Sequence, residues 1–74
     1  MTATIHCFGI LKSYTNGQTE VVVEAGRTVR EAVSELGIPV DIVAMVVVND
    51  EPRDRDYRLQ DGDVVRLVTV MGGG

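Results

Sequence analysis

The sequence predicts an α+β domain in which a mixed sheet of about four to five strands carries one main helix on one face. Three observations predict it. An alternating stretch of β-formers opens the chain and a Val-rich run lies near its end, one segment has helical periodicity with signals at both ends, and the elements follow the order strand, strand, helix, strand, turn-rich segment, strand. With 74 residues the chain is a single domain. A domain this small buries roughly 60% of the surface its unfolded chain exposes, so the core is thin. One Phe, two Tyr and no Trp make that core aliphatic.

Ala3 to Phe8 alternate, with Ile5 and Cys7 on one face and Thr4, His6 and Phe8 on the other, as a strand requires. Gly9 to Gly17 is a connection with turn chemistry at Asn16-Gly17. Thr19 to Glu24 is a second strand, paired antiparallel with the first, and Ala25-Gly26 ends it. The helix spans Thr28 to Leu36. Thr28 and Glu31 match a capping box. Val29, Ala32, Val33 and Leu36 form one apolar stripe predicted to be buried. Gly37 stands where a left-handed residue ends a helix, and Pro39 prevents continuation. A helix of about nine residues is unstable alone in water, so it must lie stripe-down on the sheet.

Ile42 to Val48 is unbroken apolar sequence, and Ala44 to Val48 reads as a strand covered on both faces. Asn49-Asp50-Glu51-Pro52 reads as a turn, and Arg53 to Tyr57 as a solvated loop or short edge strand. Leu59 inserts into the core from a polar segment, and Asp61-Gly62-Asp63 is a tight turn with Gly62 at positive φ. Val64 to Val70 is the last strand. Its inward set is either Val65 and Leu67, or Val64, Val68 and Val70; a period of two allows both. A hairpin, a helix crossing one sheet face, and strands that complete the sheet make the β-grasp (ubiquitin-like) arrangement, with the other sheet face largely open.

Bulk chemistry narrows the function. Hydrophobic residues make up 45% and charged residues 24%, as in soluble globular proteins. No run approaches the roughly 18 apolar residues of a membrane span. The start of the chain lacks the charged and apolar regions of a signal peptide, so a cytoplasmic location is expected. A net charge of −4 argues against nucleic-acid binding, which needs clustered Lys and Arg. A single cysteine excludes an internal disulfide and a Cys-clustered metal site.

Three of the eight glycines are Gly72, Gly73 and Gly74. The expected organisation is a β-grasp domain over residues 1–71 followed by a flexible glycine tail over 72–74. Without Cβ atoms, such a thread fits a narrow tunnel in a partner and takes backbone angles closed to other residues. That suits a chain whose terminal carboxylate is the reacting group; the alternative is a frayed, functionless end.

Several segments together carry a resemblance: Ala25-Gly26-Arg27-Thr28-Val29 into the helix, Val47-Val48-Asn49-Asp50-Glu51 at the third strand, Leu59-Gln60-Asp61-Gly62-Asp63-Val64 before the last, and Gly73-Gly74. In this order, over the whole chain, they resemble the ubiquitin-like sulfur carriers, which include the thiamine-biosynthesis carrier and the molybdopterin synthase small subunit. The first loop, with Gly9, Leu11 and Gly17, is similar to the molybdopterin type. That type usually carries prolines before its tail, and Val68-Thr69-Val70-Met71 has none, which brings the tail closer to the thiamine type. Either pathway remains open as the recipient of the sulfur.

The resemblance implies that a ubiquitin-activating-type adenylyltransferase consumes ATP to adenylate the Gly74 carboxylate, and that a persulfide sulfur then displaces AMP to leave a thiocarboxylate. Gly72 and Gly73 would thread the tail into a sulfur-accepting synthase, either the molybdopterin synthase large subunit or thiazole synthase. The protein would be a carrier and co-substrate with no bound cofactor or metal, the catalytic residues lying in its partners. Phe8, Met45, Val47, Val68 and Met71 form an expected partner-docking patch on the open sheet face.

Other candidates take a structural role. Cys7 shares a face with Ile5 and reads as a small buried hydrophobe. His6 has no nucleophile or carboxylate placed for it by sequence. Asp54, Asp56, Asp61 and Asp63 lack the spacing of a calcium loop and read as turn and surface groups. Two further functions stay open beside the carrier: a protein modifier joined through Gly74 to a target lysine, and a β-grasp interaction module with an idle tail.

Overall fold

The computed structural model describes residues 1–70. Met71 of the expected patch and the expected tail, Gly72 to Gly74, lie outside the described residues. The strands are β1 (Thr2–His6), β2 (Glu20–Glu24), β3 (Val43–Val48), β4 (Glu51–Arg53) and β5 (Val64–Thr69), and the helix α1 is Val29–Glu35. They form one five-stranded sheet in the order β2-β1-β5-β3-β4. β1 and β5 are parallel at the centre and the other neighbours are antiparallel. This is the expected β-grasp arrangement.

Alternation fixes which residues meet the helix. Ala3, Ile5 and Cys7 from the first strand and its exit, Val43, Val46 and Val48 from β3, and Val65 and Leu67 from β5 are buried with Val29, Ala32 and Val33 of α1. Of the two phases open for β5, the one with Val65 and Leu67 inward is adopted. Leu11, Ile38 and Leu59 close the core from the connections, Leu59 as expected.

The ends of α1 explain its place. Thr28 Oγ1 accepts from Glu31 N at 3.1 Å, and Thr28 N donates to Glu31 Oε1 at 2.9 Å, the reciprocal bonds of a capping box. Gly37 has φ +80. Its N–H donates to Ser34 O, and Ile38 N donates to Val33 O, each at 3.0 Å. These two bonds make a Schellman ending, with the buried Ile38 as its apolar partner.

Three expectations need correction, and one gains detail. Leu36 is half-buried, because it caps the short helix at its edge instead of lying within the stripe. The connection after β1 contains a 3₁₀ helix, Gly9–Tyr14, which turns Leu11 into the core; the turn chemistry at Asn16-Gly17 is present, both with positive φ. The turn after β3 is confined to Asn49 and Asp50, at φ 52 and 67, so Glu51 and Pro52 already belong to β4. Two successive left-handed residues are what a tight hairpin turn matching the strand twist requires.

The last correction bears on the site. β3 is not covered on both faces: Ala44 and Met45 are exposed. Among the described residues no second layer stands on the face opposite α1, and the register against β5 shifts between Val43 and Met45, which makes Ala44 the extra residue of a β-bulge. Arg55 Nε donates to Val43 O at 3.2 Å, and its Nη2 donates to the same oxygen. A guanidinium from another segment thus occupies the carbonyl at the bulge.

Candidate functional site

The open sheet face gathers the described members of the expected patch. Register defines their relationship. Met45 lies opposite Val68, and Val47 lies opposite Arg66. Arg66 is in turn the parallel partner of His6. Phe8 stacks on His6, with ring centroids 6.1 Å apart and planes 25° apart. Met45 is 50% exposed, Val68 46% and Phe8 40%, while Val47 is half-buried. The apolar surface therefore lies beside the exit of the last strand.

Sequence reasoning missed three neighbours. Val64 and Val70 are also exposed and apolar, and Arg66 crosses the middle of the face, 3.5 Å from the Asp50 carboxylate. His6, Phe8, Asn49, Asp50, Val64 and Arg66 line a shallow groove there. The signal lay in β5: once Val65 and Leu67 are inward, Val64, Arg66, Val68 and Val70 must face outward.

The backbone at the end of the described chain is anchored. Val70 N donates to Ile42 O at 2.9 Å, beyond the bulge. Val70 is thereby held at the Met45–Val68 end of the open face. The side-chain oxygen of Thr69, buried beneath, has no hydrogen-bond partner among the described residues.

The remaining candidates fall elsewhere. Cys7 is fully buried; burial pushes its thiol pKa up, and the Thr15 hydroxyl opposes that shift. The four aspartates are used separately. Asp54 Oδ1 accepts from Asp56 N at 2.8 Å, Asp56 pairs with Arg30 Nε at 3.2 Å, and Asp61 Oδ1 accepts from Thr2 N at 3.0 Å. Asp63 is buried and accepts from Gln60 N and Asn49 Nδ2, each at 2.8 Å, and from Tyr57 Oη at 2.9 Å. Burial alone would raise its pKa, but these three donors outweigh burial and hold the carboxyl below the usual carboxylate range. Among the described residues no three His, Cys, Asp or Glu side chains gather where a metal could bind, and no helix is long and apolar enough to cross a membrane.

A family model described as the ThiS family matches residues 5–74. A solved structure from Pyrococcus furiosus, described as molybdopterin converting factor, subunit 1, is similar with a TM-score of 0.70 and 20% identity, covering 93% of this chain and 97% of its own. SAMP1 from Haloferax volcanii is similar with a TM-score of 0.68 and 19% identity, covering 100% of both chains. At these identities the two structures establish the shared fold. No curated protein sequence matches the chain.

Proposed function

The chain belongs to the ThiS family of ubiquitin-like sulfur carriers, and we propose that it carries sulfur as a thiocarboxylate on Gly74 for the synthesis of a sulfur-containing cofactor. The observation that supports this reading is the extent of the family match, which runs from residue 5 through Gly72, Gly73 and Gly74. The exposed Met45–Val68 pair beside the anchored Val70 supports it further, since a partner docked there would lie close to the start of the tail.

The chemistry follows from the weakness of a carboxylate as an electrophile. Its charge is delocalised and it has no good leaving group. An activating enzyme of the ubiquitin-activating type joins the Gly74 carboxylate to the α-phosphorus of ATP and releases pyrophosphate. The terminal sulfur of an enzyme persulfide attacks the acyl carbon, and AMP leaves. A second thiol then cleaves the sulfur–sulfur bond, which releases the Gly74 thiocarboxylate and leaves a disulfide on the partner. The carrier contributes the acyl group, the thread formed by Gly72 and Gly73, and a docking face of Phe8, Met45, Val47, Val68 and Met71. The recipient is a molybdopterin synthase large subunit or a thiazole synthase, and the two are told apart by which one takes the sulfur.

Pyrophosphate exchange tests the first step. With the activating enzyme encoded in the same organism, the chain should support incorporation of labelled pyrophosphate into ATP. A chain whose Gly74 ends in an amide should not. Equal exchange with the amidated chain would place activation elsewhere and overturn the proposal. Recovery of Gly74 in an isopeptide bond to lysines of other proteins, with no sulfur-bearing form, would establish the modifier function instead.

A further inference from the structure

The five-stranded sheet has two edges, and they differ. The β4 edge is three residues long with Pro52 at its centre, so the middle position offers no N–H to an incoming strand. The β2 edge is five residues long and contains no proline. Met1 O accepts from Ala25 N, and Cys7 N donates to Thr19 O, on either side of the β1–β2 register. By the alternation of an antiparallel ladder, Val21 and Val23 bond to β1, while Glu20, Val22 and Glu24 turn their backbone groups away from it. Val22 is 66% exposed.

A groove of about 240 Å³ runs along this edge between β2 and α1. Val23, Ala32 and Leu36 give it apolar walls, and Arg27 and Glu35 border it. Arg27 is engaged on both sides, with Glu24 at 3.9 Å and with Glu35. Glu20, Glu24 and Glu35 therefore leave the edge acidic around one cation that is already neutralised.

These features select an occupant. A second copy of the chain, paired antiparallel about Val22, would set Glu20 against Glu24 twice, and like charges directly opposite each other destabilise a ladder. A basic strand meets the opposite situation. We propose that the β2 edge is a docking site for an extended, basic–apolar segment of a partner protein, which adds to the sheet as a sixth strand. Its basic residues lie opposite Glu20 and Glu24. The residues opposite Val21 and Val23 project to the α1 side, where Val23, Ala32 and Leu36 receive apolar side chains, and the one opposite Val22 lies on the open face with the basic residues. Because β2 is the strand furthest from the β3–β4 end of the sheet, this site is separate from the Met45–Val68 surface. A partner could hold the carrier there while the other surface is occupied.

The test uses the full chain and the synthetic peptide acetyl-Lys-Ile-Val-Ile-Lys-amide, with its Glu-for-Lys counterpart as control, at low ionic strength. Amide NMR and hydrogen exchange are read together. The basic peptide should shift the Glu20 to Glu24 amides, slow exchange of the Val22 amide by about tenfold at saturation, and bind more tightly than the acidic peptide. Val22→Pro removes an outward N–H without touching the β1 ladder and should weaken binding by about tenfold. The double variant Glu20→Lys, Glu24→Lys should reverse the peptide preference, and it keeps the test valid if the proline variant does not fold. Binding that leaves Val22 exchange unchanged, shifts confined to the open face, no peptide binding, or self-association through β2 would each overturn the proposal. None of these results depends on sulfur chemistry at Gly74.

Discussion

The side-chain amide of Asn49 donates to the Asp63 carboxylate at 2.8 Å, while its own oxygen takes the N–H of Val64 at 3.0 Å. One side chain thereby joins the β3–β4 turn to the start of β5, across the two turn motifs that carried the family resemblance. The Asn49 backbone N–H also donates to Val64 O at 2.9 Å, so the left-handed turn is held from both sides. Replacing Asn49 with Ala leaves a donor on Val64 and an acceptor on the buried Asp63 without their partner. The expected loss of stability is about 1–3 kcal/mol, read as a lower urea midpoint with an unchanged slope. An unaltered midpoint would show that the bond contributes nothing.

Asp63 makes stability depend on acid. Its folded-state pKa lies below the ordinary aspartate value of 3.8. A depressed carboxyl stabilises the fold above its unfolded pKa, and that contribution is lost as pH falls from about 4 through the folded value. The melting temperature should therefore drop on acidification below about pH 4. Asp63→Asn should be less stable at neutral pH and should show a shallower acid limb. An identical acid limb in the variant would assign the effect to other carboxylates.

Cys7 should be inert in the folded protein. The thiolate is the reactive form, and both burial and the raised pKa suppress it. A thiol-alkylating reagent at pH 8 should label Cys7 only after denaturant is added. Cys7→Ala should cost about 1–2 kcal/mol of stability and leave sulfur loading intact. Fast labelling of the native chain, or sulfur found on Cys7, would contradict its role as a core residue.

What could be read from the sequence was mostly local. Thr28 with Glu31, Gly37 before Pro39, and Gly62 between two aspartates each declare a cap or turn through their own chemistry, and each is found in place. The double covering expected for β3 failed for a different reason. An unbroken apolar run reports hydrophobicity, whereas coverage depends on what stands opposite. The outward turn of Met45 needs the bulge at Ala44, and the carbonyl there is held by Arg55, twelve residues beyond Val43. Likewise Phe8, Met45, Val47 and Val68 are expected together on the open face, but a period of two leaves the phase of β5 undecided, so only the pairing of β5 fixes Val68 and Arg66 outward and brings Asp50 beside Arg66.

The open face predicts a separation of binding from folding. Met45 and Val68 are cross-strand neighbours, each about half exposed, so charge placed there should cost at most about 0.5 kcal/mol of stability. Met45→Lys with Val68→Glu, an opposite-charge cross-strand pair, should nevertheless weaken binding to the activating enzyme by about tenfold or more, equivalent to at least ~1.4 kcal/mol. Titration calorimetry beside a melting curve measures both. Unchanged affinity in the double variant would remove these residues from the docking surface.

The most direct measurement of the central claim is intact-protein mass spectrometry after incubation with ATP, the activating enzyme and a persulfide sulfur source. The predicted product has one oxygen replaced by sulfur, fragmentation places the change on Gly74, and deletion of Gly74 abolishes it while the melting curve stays the same. An unmodified Gly74 under conditions in which the activating enzyme is demonstrably active, or sulfur recovered at any other residue, would contradict the account.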